Sequence, residues 1–440
     1  MPPTAAPFSL FGDMRFFLIF FLTLGPVCAG IAFLTAGRSL CLGRAARIAL
    51  GAALLACSLK FTWFGVFGGH VFLPELPSRA IHVLSVAYDF VLVLAALGAV
   101  WASGRWVVRL ARRVRPTDLR PARGTDLTRR RVITGGLACV AAGVAAKGVY
   151  DGVRLPDVVK VELEFPDLPP AFDGYRIAHL SDLHVSAAAR ADRTVGVVRL
   201  VNDCKPDLIA ITGDFVDGTA DRRSVDVAPL ADLRAPDGVV GCTGNHEYYS
   251  GWAVWRDVFR SYGIRVLENE RLLVRRGNET LAVLGENDPV SRDSDIHIAA
   301  SMVPHWAFRI LLAHRPTRLA EHAAYGVRLQ LSGHTHGGAV RGIDRFVARA
   351  NEGHVRGVYR EHGLTLYVNS GTGQWAGFPT RLGVPPEITL LTLRKAPEAR
   401  FPEMNPENRA SRVSCAMCGD VVECPRTKRR KRCRSQSVSF

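Results

Sequence analysis

Acidic residues are scarce in the first third of this chain. Residues 1–150 hold 5 Asp and Glu against 17 Lys and Arg, whereas residues 151–400 hold 31 against 30. The net charge of +16 therefore owes nothing to the middle of the chain. A neutral middle lacks the basic face that a phosphate backbone needs, so no nucleic-acid partner is expected. Internal repeats are absent, which excludes a solenoid or a propeller. Of the 10 cysteines, four (Cys415, Cys418, Cys424, Cys433) fall in the tail. Cys204 and Cys242 read as packed thiols. No small-residue cleavage site follows the hydrophobic start, so the anchor is expected to stay on the chain.

What the first third does hold is apolar residues in long runs. Four runs, at about 15–36, 48–69, 81–103 and 132–150, approach the roughly 20 residues that span a bilayer as helix. The linkers alternate in arginine. Arg38, Arg44 and Arg47 follow the first run, and ten arginines from Arg105 to Arg131 follow the third. The N-terminus and the 70–80 segment carry one each, Arg15 and Arg79. The positive-inside tendency then places the N-terminus outside, both Arg-rich loops inside, and everything after residue 150 outside. Arg129-Arg130-Arg131 suits either ordinary anchoring or a displaced twin-arginine export signal. Lys60 and Asp89 lie within the runs and are expected to pair, because a lone charge at that depth is costly.

From residue 151 to about 400 the pattern changes to short β-rich runs alternating with amphipathic segments. Strands are expected over 158–165, 175–180, 207–212, 239–243, 307–313, 327–331, 364–369 and 388–393, with helices over 192–203 and 252–262. Five of these strands end in polar blocks. They are Ser181-Asp182-Leu183-His184, Gly213-Asp214, Gly244-Asn245-His246-Glu247, His314 and Gly333-His334-Thr335-His336-Gly337-Gly338. In layered α/β folds, strand ends form the ligand-binding edge. A packed histidine explains one such block but not five. The basic, cysteine-containing tail, 401–440, lacks a hydrophobic pattern and reads as disordered, with zinc, a disulfide or lipid headgroups as alternative uses.

Imidazole, carboxylate and amide oxygen suit Mn, Fe or Zn. The donors Asp182, His184, Asp214, Asn245, His246, His314, His334 and His336 are too many for one tetrahedral ion. Two ions sharing a carboxylate fit the count, and such a pair hydrolyses phosphate esters through a bridging hydroxide.

These blocks together resemble the calcineurin-like metallophosphoesterase family over residues 174–394, and in particular its membrane-anchored YkuE/YaeI-like branch. The stretch 369–382 with Pro385-Pro386-Glu387-Ile388, and Gly285-Glu286-Asn287-Asp288-Pro289, carry the branch likeness. The resemblance implies a two-sheet α/β sandwich flanked by helices, here behind an N-terminal bundle of about four transmembrane helices. It implies that Asp182, His184 and His336 hold one metal, that Asn245, His314 and His334 hold a second, and that Asp214 bridges them. It implies that His246 is no ligand but stabilises the transition state and assists the leaving oxygen. Ala339 stands where relatives place Gln, and Asn369-Ser370-Gly371 where they have Ser-Arg-Gly; both bear on substrate rather than metal.

The expected protein is a membrane-anchored phosphoesterase facing the periplasm or exterior. Its expected substrate is a phosphodiester or pyrophosphate carried on lipid or envelope polymer. Two rivals remain: a UDP-2,3-diacylglucosamine-type pyrophosphate hydrolase, which needs a cytoplasmic domain, and a non-catalytic membrane sensor. Arg315 suits a phosphate or a surface salt bridge. Tyr248, Trp375 and Phe378 suit an apolar rim or plain packing. His297, His305, His322 and His362 read as surface or core.

Overall fold

The computed structural model describes residues 10–114 and 126–396. The tail cysteines and basic run, and the arginines between 115 and 125, lie outside the described residues.

The apolar runs form helices α1 (Leu10–Leu40), α2 (Arg44–Ser58), α3 (Lys60–Gly68), α4 (Ser78–Val114) and α5 (Asp126–Val153). Three are long and apolar enough to cross a membrane, over Leu18–Gly37, Ser78–Ala111 and Thr128–Val153. The second run differs from expectation: α2 and α3 are bent by 62° at Leu59, so they form either one broken span or a re-entrant pair. The count is therefore three, or four with the bent pair. The break has a local cause. The freed Ala56 carbonyl accepts from Leu59 N (3.3 Å) and Trp63 Nε1 (2.8 Å). The Ser58 carbonyl points at Gly25 of α1, where a Cβ would overlap it. A helix kink survives in an apolar setting only when its carbonyls find such partners.

Lys60 and Asp89 do not make the expected pair. They feel each other's charge, but among the described residues Lys60 Nζ has no hydrogen-bond partner and makes no ion pair. Instead Nζ lies 4.6 Å from the Phe61 ring centroid, 4.7 Å from Tyr88 and 5.1 Å from Phe378. A desolvated ammonium is attracted to aromatic faces at this range. Asp89 Oδ2 accepts from Thr380 Oγ1 at 2.5 Å, so its partner comes from beyond the helices.

After α5 the chain builds twelve strands. They are β1 (Asp157–Phe165), β2 (Arg176–Leu180), β3 (Leu208–Thr212), β4 (Val239–Cys242), β5 (Ile264–Val266), β6 (Glu270–Arg276), β7 (Glu279–Gly285), β8 (Phe308–Leu312), β9 (Val327–Ser332), β10 (Gly357–Glu361), β11 (Leu364–Val368) and β12 (Glu387–Lys395). Two six-stranded mixed sheets result, ordered β1-β12-β2-β3-β4-β5 and β10-β11-β9-β8-β7-β6. Leu163, Leu208, Leu391, Val283, Leu312 and Leu331 fill the space between them. Helices α6 (Ala191–Asp203), α7 (Ala220–Val227) and α9 (Trp252–Ser261) cover the outside of the first sheet with Val197, Val201, Val227, Trp255 and Phe259. This is the expected α/β sandwich flanked by helices. Strands β2, β3 and β4 run parallel in one sheet, and β8 and β9 run parallel in the other. All five donor-bearing strands are therefore placed to end at one edge.

The described residues up to Ala396 form one compact unit, so helices and sandwich are packed together. Phe61, Phe64, Ile81 and Tyr88 of the helices share a cluster with Ala187, Ala188 and Ala376 of the sandwich. Because Lys60 and Asp89 each have their own surroundings, reversing both charges together should not restore membrane accumulation that a single reversal impairs. Immunoblots of the membrane fraction check this, and recovery in the double variant would reveal a direct pair.

Candidate metal centre

Each donor follows the strand that carries it. Asp182 and His184 follow β2, Asp214 follows β3, and Asn245 and His246 open the short helix α8 (Asn245–Tyr249) after β4. His314 follows β8, and His334 and His336 follow β9. The backbone at five of these residues is left-handed, with φ of 52° at Asp182, 44° at His184, 53° at Asp214, 69° at His334 and 49° at His336. For a non-glycine residue this costs roughly 1–2 kcal/mol, and such strain collects at functional sites. Gly333 permits the crowding: a Cβ there would overlap Ser181 Oγ and the Asp182 carboxylate. The two sheets are joined at this point, since His334 N donates to Asp182 Oδ2 at 3.0 Å.

Among the described residues three groups have candidate ligand atoms within 4.8 Å of one another: His184–Asp217–His246, and the two that the strand-end donors form, Asp182–His184–His336 and Asp214–His314–His334. Asp214 Oδ2 faces both, 3.6 Å from His184 Nε2 and 3.2 Å from His314 Nε2. His184 Nε2 lies 3.2 Å from His336 Nε2, and His314 Nε2 lies 3.2 Å from His334 Nδ1. The far nitrogens are already engaged: His184 Nδ1 with Asp217 Oδ1 at 3.1 Å, and His314 Nδ1 with the Thr212 carbonyl at 2.7 Å. Each inward pair of nitrogens thus points at its neighbour and at a carboxylate, an arrangement that a proton or a cation can hold together. Asn245 Oδ1, next to His246, whose backbone N donates to Asp214, is buried without a hydrogen-bond partner. A buried acceptor left in this state costs free energy unless something claims it. The donor set, the carboxylate facing both groups and the orphaned amide oxygen fit divalent cations.

Electrostatics agree with that fit. Burial, with the neighbouring His314 or His184, pushes His334 and His336 well below the usual imidazole range, so both are neutral and able to ligate. Burial also pulls His314 down, but Asp214 outweighs it and brings the ring up to about 10. A cation there takes the place of a proton.

His246 adjoins the donors. Its ring centroid is 4.7 Å from that of His184, and its backbone N donates to Asp214 Oδ1 at 2.9 Å. Burial lowers its ring, yet Asp214 and Asp217 together raise it to about 9, so these two carboxylates favour the protonated ring.

Asp217, which the strand-end reading passed over, touches two rings of the candidate site. Its Oδ1 meets His184 Nδ1 at 3.1 Å and His246 Nδ1 at 2.6 Å, so one carboxylate orients both rings. Burial disfavours its charge, but the two imidazoles hold it far below the usual carboxylate range. The available signal was its place three residues after Asp214, within the same turn. Glu247 was also passed over. It accepts from the backbone N–H groups of Asp214, Phe215 and Gly244 at 2.7–2.8 Å, tying the β3 and β4 ends together.

Other candidates resolve differently. Arg315 is engaged by Asp288 at 2.8 and 3.1 Å. His322 is buried against Gln330 and Glu286. Trp375 flanks His246 at 6.4 Å between ring centroids, Phe378 faces Lys60, and Tyr248 packs on Trp252 with its hydroxyl at Thr243. Replacing Asp217 with Asn should cost roughly 10- to 100-fold in metal affinity or in kcat/KM, the usual effect of losing a ligand's supporting partner. Metal content after gel filtration and steady-state kinetics measure it, and parent-like values in both would contradict the assigned role.

Comparison with known proteins follows the geometry. The pattern of the calcineurin-like phosphoesterase family matches residues 175–338. The uncharacterized metallophosphoesterase YkuE of Bacillus subtilis (strain 168) is 30% identical over 283 residues, covering 61% of this chain and 98% of that protein. An uncharacterized metallophosphoesterase of Aquifex aeolicus (strain VF5) is 32% identical over 244 residues, covering 54% of this chain and 91% of its own. A transmembrane protein with metallophosphoesterase domain from Bos taurus is 31% identical over 290 residues, 62% of this chain but 65% of that longer protein. Among solved structures, a 5'-nucleotidase precursor from Thermus thermophilus overlaps 50% of this chain and 54% of its own at 16% identity and a TM-score of 0.32, too loosely to support an argument. The chain belongs to the calcineurin-like phosphoesterase family of metal-dependent phosphoric ester hydrolases, in the branch that includes YkuE.

Proposed function

We propose that this chain is a membrane-anchored, dinuclear phosphoesterase acting on a phosphodiester or pyrophosphate carried by lipid or envelope polymer. The observation that carries the reading is the single Asp214 oxygen facing two donor groups. Asp182, His184 and His336 would hold one divalent cation, and Asn245, His314 and His334 the other, with Asp214 between them; Mn, Fe and Zn all suit this donor set. Bound cations would supply Lewis-acid polarisation of the phosphoryl oxygens and activation of water. The chain's own residues do the rest. His246, protonated and oriented by Asp217, gives its proton to the departing oxygen as water adds to phosphorus. Glu247 keeps Asp214 and Asn245 in register through its three backbone contacts.

The lipid part of the proposal rests on what surrounds His246. Trp375 stands 6.4 Å from it and is itself 5.5 Å from Phe72 and 6.4 Å from Phe21, between ring centroids. Phe21 belongs to the candidate span Leu18–Gly37, so an aromatic wall runs from the bundle to the site. Such a wall suits a substrate with an apolar part beside its phosphate.

We assign residues 1–150 to the membrane region and 151–400 to the catalytic domain, with the latter outside the cytoplasm. Two contacts support the same-side placement of the α3–α4 connection and the catalytic domain: Glu75 pairs with Arg223, and His82 Nε2 meets the Ala188 carbonyl at 3.1 Å. With the bent pair counted as one span, this matches the threading that puts both Arg-rich loops inside.

The full chain with Mn should cleave bis-p-nitrophenyl phosphate, and Asp214→Asn should lower the rate by at least about 1,000-fold, roughly 4 kcal/mol of barrier. Absence of metal-dependent cleavage by the parent would refute the enzyme reading. A phosphatase reporter joined after residue 155 should be active only on the outer side. Activity confined to the cytoplasm would reverse the topology and favour a cytoplasmic substrate such as a nucleotide-linked acyl sugar.

A further inference from the structure

We infer that Arg381 is a positioning residue through which the membrane helices hold the Asp182–His184–His336 cation site in shape; this rests on the two-cation reading above. Arg381 is fully buried and, among the described residues, makes no ion pair. Its guanidinium is spent on backbone carbonyls instead. Nη1 donates to Ser370 O at 2.7 Å, and Nη2 donates to Gly373 O at 2.7 Å and Gly371 O at 3.1 Å. The same group lies 3.4 Å from the His336 carbonyl and 3.3 Å from the His336 ring at Nδ1. A planar, rigid fork with five donors can gather carbonyls in this way, and a lysine cannot.

The loop gathered by Arg381 also touches Asp182, the carboxylate of the same group. Gly373 N donates to the Asp182 carbonyl at 2.8 Å, and Thr372 N donates to Ser181 O at 2.7 Å. One side chain therefore sets the backbone of Asp182 and the ring of His336 together.

The backbone of Arg381 is in turn held by the membrane bundle at several points. Arg381 N donates to Gly148 O of α5 at 2.9 Å. Thr380 Oγ1 donates to Asp89 Oδ2 of α4 at 2.5 Å. Gly148 and Gly152, one turn apart on α5, let the 379–380 backbone approach closely. A Cβ on Gly152 would overlap the Pro379 carbonyl, and one on Gly148 would come within 2.9 Å of Thr380. A second arginine repeats the tie: Arg193 Nη2 donates to Thr372 O at 2.7 Å and to Arg154 O at 3.2 Å, just past α5. The buried Asp89, which the sequence reading paired with Lys60, thus acts as the bundle's handle on the metal site. Donors on the His314 side meet the latch only at one remove, through Asp182, whose carboxylate accepts from His334 N at 3.0 Å, so disturbing the latch acts first and most on one cation position.

The test is equilibrium binding of Mn to the full chain in detergent, read as ions bound per chain against free Mn. The variants are Arg381→Lys, Thr380→Val and Thr380→Ser, each measured on its monodisperse fraction. Arg381→Lys and Thr380→Val should weaken one of two binding steps by about 10- to 100-fold and the other markedly less. Thr380→Ser keeps the hydroxyl and should bind like the parent. Thr380→Val is nearly isosteric, so it reports even where Arg381→Lys does not fold. Parent-like affinities at both steps in Thr380→Val, or equal weakening of both, would overturn the inference. A parent that binds fewer than two ions would instead overturn the two-cation reading beneath it.

Discussion

Four buried carboxylates and five imidazoles converge on one edge of this sandwich, and the rest of the structure serves to keep them there. Like and unlike charges at this density, away from water, are stable only when each is compensated. The compensation is specific. Asp217 serves two rings with one oxygen, Glu247 takes three backbone N–H groups, and Asp214 faces both donor groups. Five of the donors sit on left-handed backbone, and the well-packed sheets on either side supply the rigidity that holds that strain. The inward-facing nitrogens and the orphaned Asn245 oxygen are the groups that bound cations would answer.

Much of this was legible in the chain because buried parallel strands have a loud signature. Runs such as Leu208–Thr212 and Phe308–Leu312 are apolar but for one residue each and stop at polar blocks, so donors and strand ends could be read together. Edge strands were quieter. β6 holds only three apolar residues between charged ends, β10 exposes most of its residues, and β5 has three residues, so none forms a long apolar run. The insertion of β12 between β1 and β2 depends on long-range pairing that no local pattern encodes. Asp217 and Arg381 were missed for a related reason. Their roles come from what they meet across 29 to 45 residues, not from the residues next to them.

The membrane helices show where local patterns stop. Hydropathy located all four apolar runs, but it cannot report a 62° bend such as that at Leu59, where the Ser58 carbonyl lies close against Gly25 of α1. It also cannot report where the charges within those runs find their partners. Lys60 took aromatic faces, those of Phe61 and Tyr88 within the bundle, and Asp89 took a threonine of the catalytic domain. The rule that such charges need compensation held; the assumption that they compensate each other did not. The result is a bundle whose aromatic rings reach Trp375 and whose polar atoms reach Thr380, so the anchor and the site are physically continuous.

The central claim is that Asp214 joins two cations. Electron paramagnetic resonance of the full chain titrated with Mn tests it most directly, because neighbouring Mn ions that share a bridge are magnetically coupled. The account predicts a coupled-pair spectrum at saturation. An isolated, uncoupled Mn signal that persists at saturation would contradict it.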